Sequence, residues 1–337
     1  MRRSDRDRGT RIVRRAGVLA LATSLMVAAA PAQGAFPGKP GPIVYSKFSD
    51  VGAELTGGLL LHGPLKSDSP KQLTNDPQDN IPSFSADGRL IVFEGLRDPG
   101  ESARGTHIYV MKSDGSEIKQ LTSGSFYDSN PSFSPNGKQI VFDRGPLQGH
   151  VTHIFNVNVD GTGLRQITNE AGSDSDPTFT PNGRAIVFVS NRKSSGRRDR
   201  TNIFSMRPNG TQLRVLIGGP REEYEPDVSP NGRSIAFAST RDHGHGPNIF
   251  VARMNGSHMR ELTHSRHDCF SSACYSHPSW SPDGKRIAYH SGGRYSTGVT
   301  VDRVDGRGFS QEYDDGGTEE EGEGDFVGPP AWGPLPK

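Results

Sequence analysis

The stretch Pro278-Ser279-Trp280-Ser281-Pro282-Asp283-Gly284-Lys285-Arg286-Ile287-Ala288-Tyr289 reads as a short strand, a tight turn and a second strand of alternating apolar residues. Asp-Gly between two such runs is a strong hairpin signal and predicts a turn in which both central residues take φ > 0. The same twelve-residue pattern recurs at Pro82–Phe93, Pro131–Phe142, Pro177–Phe188 and Pro226–Phe237. The leading prolines stand 49, 46, 49 and 52 residues apart, and a further 52 lands on Pro330-Ala331-Trp332-Gly333-Pro334. Hairpins recurring at this period define a repeat architecture.

Each hairpin is followed by a variable loop and a second pair of apolar runs around another Gly turn, as in His107–Gly115 with Ile118–Thr122 and His153–Gly161 with Leu164–Thr168. The unit is therefore four short antiparallel strands, here a to d from first to last, and blades of this kind around an axis make a β-propeller. The C-terminus supplies only a strand a, Ala331–Pro334, while Ile43–Tyr45, Leu59–Leu61 and Lys71–Thr74 near the other end match b, c and d. The expected fold is all-β, a six-bladed propeller whose last blade is shared between the N- and C-terminal segments, so that closure leaves no exposed sheet edge. The 42 Gly and 25 Pro fall at the repeated turns, and a 31% hydrophobic fraction suits many short, half-exposed strands.

Seven arginines from Arg2 to Arg15 precede the fifteen-residue apolar run Ala16–Ala30 and then Ala30-Pro31-Ala32, the order of a cleaved secretory signal. The run is shorter than the roughly 20 residues that span a bilayer, so an uncleaved anchor is not expected. The reading is residues 1–32 (or to 35) as signal and 36–337 as propeller, with a secreted or periplasmic, envelope location and no integral membrane segment. Arg14-Arg15 fits a twin-arginine signal as well as a general secretory one. Cleavage after Ala32 removes seven of 39 basic and two of 38 acidic residues, leaving a net charge of −4. That balance argues against nucleic acid, whose phosphates need a basic footprint.

The pattern P-S-[FW]-S-P-[DN]-G-[KR]-x-I-[AV]-[FY], the following I-[YF]-V and the closing L-T resemble the WD40-like repeats of the TolB family over roughly residues 41–337. The resemblance implies the propeller fold and an envelope setting. Family TolB proteins carry an α/β domain ahead of the propeller; only about ten residues separate the signal from the first strand here, so that domain and the full Tol–Pal role are not expected. Related propellers also serve as accessory domains in prolyl-oligopeptidase-type peptidases, but no G-x-S-x-G elbow occurs in this sequence.

The tight a–b and c–d turns fall on one face and the variable b–c and d–a loops on the other, where function usually sits. Three charged sets converge there. Asp79, Asp128, Asp174 and Glu223 stand three residues before the strand-a prolines, and Asn130, Asp176, Glu225 and His277 directly before them. The b–c loops begin with Arg97, Arg144, Arg192, Arg241 and Arg294. The loop Glu312–Asp325 carries eight carboxylates and should stay solvated. Two readings are open: ion pairs that stitch neighbouring blades at their rims, or a site at the channel mouth for a divalent cation or basic peptide, because a ring of like charge focuses potential. His243, His245, His264, His267 and His277 share one sector and include a common metal ligand type, but no fixed-spacing metal motif accompanies them. Cys269 and Cys274 in an exported chain are most simply a disulfide, with free thiols or metal ligands as the alternatives. No nucleophile–base pair and no cofactor motif is legible. The expected function is a non-enzymatic binding or scaffold protein with a protein or peptide partner on the loop face. The alternative is a metal-dependent lyase or hydrolase acting on a polysaccharide.

Overall fold

The computed structural model describes residues 36–335 except 52–53, 64–68, 98–104, 193–199, 242–245, 265–273, 293–296, 308–310 and 314–324. The leading strands β1 (Pro40–Val51), β2 (Glu54–His62) and β3 (Lys71–Gln72) belong to the last blade. Blade 1 is β4 (Asn80–Phe84), β5 (Leu90–Gly95), β6 (His107–Lys112) and β7 (Lys119–Gln120). Blade 2 is β8 (Phe126–Phe133), β9 (Gln139–Pro146), β10 (His153–Asn158) and β11 (Arg165–Gln166). Blade 3 is β12 (Asp174–Phe179), β13 (Ile186–Ser190), β14 (Asn202–Met206) and β15 (Arg214–Ile217). Blade 4 is β16 (Glu223–Val228), β17 (Ser234–Ser239), β18 (Asn248–Arg253) and β19 (Arg260–Glu261). Blade 5 is β20 (Cys274–Trp280), β21 (Arg286–Gly292), β22 (Thr297–Arg303) and β23 (Gln311–Tyr313). Strands β24 (Asp325–Val327) and β25 (Ala331–Pro334) complete blade 6.

Each blade is an antiparallel meander, and both β24 and β25 pair with β1, so six sheets close the ring as the sequence implies. Ile43 faces Trp332 and Val44 faces Ala331 across that joint, with Phe48 opposite Phe326 further along. The alternating apolar residues of neighbouring blades pack face to face. Val92, Ile108 and Val110 of blade 1, for example, bury against Phe133, Ile140, Phe142 and Val157 of blade 2.

The a–b turn differs from the expectation in type. Gly88, Gly137, Gly183, Gly232 and Gly284 take φ of 66–72°, but the Asp or Asn before each does not have positive φ. The Gly amide donates to the carbonyl three residues earlier, as Gly137 does to Ser134 at 2.8 Å. This is a type I turn followed by a left-handed glycine. Proline in the second position decides it in four of the five copies, because its φ near −65° fits type I and forbids the mirror-image turn. The Asn or Asp side chain is then free to cap: Lys138 N donates to Asn136 Oδ1 at 3.0 Å.

The recurrent L-T closes each blade for a specific reason. Thr74, Thr122, Thr168 and Thr263 each accept, through Oγ1 and at 2.9 Å, a buried amide of strand c: Leu59, Ile108, Ile154 and Ile249. The outermost strands are two to four residues long where they begin Lys71, Lys119, Arg165, Arg214 and Arg260. Short, charged edge strands protect a sheet from pairing with other chains.

Candidate functional site

The four acids three residues ahead of the strand-a prolines are fully buried, and each meets the arginine at the far end of strand b in its own blade. Arg97 Nε donates to Asp79 Oδ1 at 2.9 Å and its Nη2 to Oδ2. Arg144 forks onto Asp128 at 2.5 and 2.7 Å. Arg192 Nη2 donates to Asp174 Oδ2 at 2.5 Å, and Arg241 Nη2 to Glu223 Oε1. The register explains the pairing: Asp128 stands opposite Arg144, and Asn80 opposite Glu94, three residues before Arg97.

Each guanidinium also lies over aromatic rings from strands b and c, Arg97 over Phe93 and Tyr109 at 5.2 and 5.5 Å, and Arg192 over Phe188 and Phe204 at 5.4 and 5.8 Å. Such stacking is attractive and suits arginine's weakly hydrated plane. The ion pairs thus lie within blades. What joins neighbouring blades at this level is a threonine ahead of strand c: Thr106, Thr152 and Thr201 donate from Oγ1 to the Asp128, Asp174 and Glu223 carbonyls of the next blade at 2.8–2.9 Å. Burial pushes the Asp79 carboxyl up to about 6 against its Arg97 bonds, and the Glu223 carboxyl up to about 7.

The residues directly before the prolines behave differently. Ile81, Asn130, Asp176, Glu225 and His277 all have left-handed φ of 53–60°. Each sits in a bulge where the a–b register slips, between Ser129 and Ser132 in blade 2 for instance. A residue before proline normally favours extended backbone, so this conformation costs on the order of 1–3 kcal/mol and needs support from its surroundings.

The support is a polar circuit that runs from blade to blade (Ser46 and Asn80, then Glu94, Asn130, Asp143, Asp176, Glu225, His277 and His290). Each bulge turns one amide out of the ladder; at Ile81 the acceptor is Asn80 Oδ1 of the same blade, at 2.9 Å, and in blades 2 to 5 the preceding blade supplies it. Asp176 N donates to Asp143 Oδ1 at 3.2 Å, Glu225 N to Asp176 Oδ2 at 3.4 Å, and His277 N to Glu225 Oε2 at 2.7 Å. Asn130 Nδ2 bridges Asp143 and Asp176 at 2.6 and 3.0 Å, and its backbone amide faces Glu94. Ser276 links His277 and His290 at 2.8 and 3.2 Å. Across the closing joint Gly328 N donates to Ser46 O at 2.8 Å, and Ser46 Oγ to Asn80 Oδ1 at 2.6 Å.

Four carboxyls therefore gather inside the ring. Burial pushes Glu94 and Asp176 up to about 7. Burial and then the Asp176 charge hold Asp143 and Glu225 well above the usual carboxylate range. Among the described residues no Lys or Arg pairs with any of the four. Among the described residues His277 Nε2, 3.3 Å from Glu225 Oε1, is the basic group in contact with them. Burial depresses His290 to about 4.

These shifts fix a pH dependence. A carboxyl whose folded pKa is raised stabilises the fold below its unfolded pKa and loses that contribution as pH rises through the folded value. Glu94 alone amounts to ~3 kcal/mol between about pH 4.5 and 7. His290 has the opposite sense, since its depressed pKa makes the fold less stable as pH falls from about 6.5 toward 4. Four raised carboxyls outweigh one depressed imidazole, so melting temperature should rise as pH falls from 8 to about 5, with His290 offsetting only part of the gain. Glu94→Gln should flatten the alkaline limb; an unchanged limb in that variant would show that Glu94 does not titrate there.

Asp176, Glu225 and His277 are thus brought together with Asn130. Asp79, Asp128, Asp174 and Glu223 are instead neutralised by Arg97, Arg144, Arg192 and Arg241. Ser46, Asn80, Glu94, Asp143 and His290 are members that the sequence reading does not single out; for the two acids the signal is present, since each stands directly after the strand-b aromatic, on the inward-facing alternation of an otherwise apolar strand. His243, His245, His267, Cys269, Arg294 and most of the Glu312–Asp325 loop lie outside the described residues. His264 is exposed, 3.3 Å from Glu261, and Cys274 is disulfide-bonded. Among the described residues no group of three or more His, Cys, Asp or Glu is arranged to hold a metal ion, and no helix is long and apolar enough to cross a membrane.

No family model matches the sequence. The chain superimposes on TolB from Acinetobacter baumannii with a TM-score of 0.70 at 21% identity, over 87% of this chain and 67% of that one. Putative TolB from Agrobacterium tumefaciens gives 0.60 at 17% identity, over 87% and 99%. Hydrazine synthase from Kuenenia stuttgartiensis gives 0.67 at 16% identity, over 90% of this chain and 48% of that one. The fold is that of a TolB-like six-bladed β-propeller. Because a hydrazine synthase chain includes the same fold, function has to be argued from the site.

Proposed function

We propose that the protein is an exported, non-enzymatic binding or scaffold protein of the cell envelope or exterior. Its partner, a protein or peptide, docks on the loop face and presents a cationic group to the polar circuit. The observation that carries this reading is the gathering of Glu94, Asp143, Asp176 and Glu225 with no Lys or Arg partner among the described residues, in a place where an external cation would relieve their repulsion. The signal-like residues 1–32 support export.

Binding of labelled octalysine and octaglutamate to the full chain tests it. Octalysine should bind, more weakly as salt rises, and Asp176→Asn combined with Glu225→Gln should weaken it at least tenfold. Equal behaviour of the two peptides, or an unaffected double variant, refutes the reading. The alternative of a metal-dependent lyase or hydrolase acting on a polysaccharide draws on His277 and His290, whose rings stand edge-on at 6.2 Å in one sector. A stoichiometric transition metal in purified protein, lost in His277→Ala, would favour it.

A further inference from the structure

Blade 2 breaks the symmetry of the loop face. Its first hairpin has eight residues in each strand, against five and six in blade 1 and six and five in blade 3. The extra pairs, Phe126 with Pro146 and Tyr127 with Gly145, carry the hairpin past the charged level. Phe126 is 39% exposed, Tyr127 47% and Val151, beyond the hairpin, 48%. The ridge is fixed in place: Arg144 lies 4.6 Å from the Phe126 ring centroid. Gly105 of blade 1 passes so close that a Cβ there would come within 2.0 Å of the Phe126 carbonyl.

The foot of this ridge is the most open of the four gathered carboxyls. Ser129, three residues along β8 from Phe126, faces Glu94. Three residues of strand span about 10 Å. Glu94 is 8% exposed, and its Oε2 is buried with no hydrogen-bond partner. Its charge also acts on Asp143, so Glu94 belongs electrostatically to the carboxyl cluster.

We propose that blades 1 and 2 form a two-point docking site for an extended polypeptide, with a lysine ammonium on Glu94 Oε2 and an apolar side chain about three residues away on the Phe126–Tyr127 ridge. This rests on the cationic-partner reading above and adds the chemistry and spacing of the ligand. Lysine fits better than arginine because one buried acceptor is open, which suits a compact point charge on a slender stem, whereas a guanidinium fork needs two acceptors in its plane. The ridge contributes the apolar anchor that interfaces concentrate beside charged contacts.

The test uses the full chain and a panel of capped glycine peptides, each with one lysine and one phenylalanine separated by zero to six residues, read by fluorescence anisotropy. Binding should be tightest at two or three intervening residues. It should fall at least tenfold with norleucine for lysine, several-fold with arginine, at least tenfold in Glu94→Gln and several-fold in Tyr127→Ser. Tyr127 is exposed, so its loss leaves the fold intact and keeps the result readable if Glu94→Gln misfolds. If octalysine binds and responds to the Asp176 and Glu225 variants while the panel is indifferent to spacing, to phenylalanine and to Tyr127→Ser, the two-point site is wrong and the broader reading stands. If neither octalysine nor the panel binds, both fall.

Discussion

Arg144→Met should destabilise the protein by about 3–5 kcal/mol, the cost of leaving a buried carboxylate without its partner. Asp128 is fully buried and its two oxygens accept the forked Arg144 guanidinium. The remaining basic neighbour, His107 Nδ1, stands 3.7 Å away, too far for a hydrogen bond. The arginine also contributes through packing, since it lies over the Phe126, Phe142 and Phe155 rings at 4.6, 5.6 and 5.4 Å. Methionine preserves much of that volume, so the loss reports the charge. Two comparisons separate the mechanisms in urea unfolding. Asp128→Asn with Arg144→Met should recover a large part of the loss, because no charge is then stranded. Arg97→Met should cost less, because the Arg97 side chain is 24% exposed against 8% for Arg144, and water can reach what it leaves behind. A double variant as unstable as Arg144→Met would assign the effect to packing over the aromatic rings.

The sequence made the fold legible because its signals are local and repeated. A twelve-residue hairpin in five copies defines the blade, the L-T ending marks the threonine that caps strand c, and the split of strand a from b, c and d defines the closing joint. The recurring acids and arginines were legible as a set but not as a geometry. Repetition in register showed that they belong to the blade. It could not show that Asp128 lies opposite Arg144 in its own sheet and not across an interface, because that depends on a register set by the bulge at Asn130. The bulge itself left little trace: residues as unlike as Ile81, Asp176 and His277 adopt the same left-handed conformation against the extended preference that the following proline imposes, held by a side-chain acceptor that meets the freed amide. For the same reason Glu94 and Asp143 were passed over. A single acid in an apolar strand gains meaning only when the neighbouring blade brings an unpaired amide to it. The turn type was misread where Asp-Gly was weighed alone, without the proline ahead of it.

Removing residues 329–337 should be more damaging than any single substitution, because strand β25 is held from three sides. Within blade 6, Ile43 and Val44 pair with Trp332 and Ala331, and Trp332 Nε1 donates to Gly41 O at 3.0 Å. Toward blade 5, Trp332 N donates to Ser279 Oγ at 3.0 Å, and the Trp332 ring lies under Arg286 at 5.6 Å. Toward blade 1, Gly333 packs so closely on Phe84 that a Cβ there would come within 2.6 Å of the ring. Trp332→Ala alone empties a site lined by Ile43, Tyr45, Ala288 and Val301 and should cost about 3–5 kcal/mol. The truncation adds the loss of the β1 pairing and leaves an unpaired edge beside exposed apolar faces of blades 5 and 1, a template for association. Aggregation on expression, or a melting temperature far below that of Trp332→Ala, is the expected result. Leu335→Ala, at a residue 44% exposed, should change stability by no more than about 0.5 kcal/mol and serves as the control. A truncated chain that stays monomeric and melts with the full-length protein would mean that the other five blades hold the ring without the joint, and velcro-like closure would lose its role in this fold.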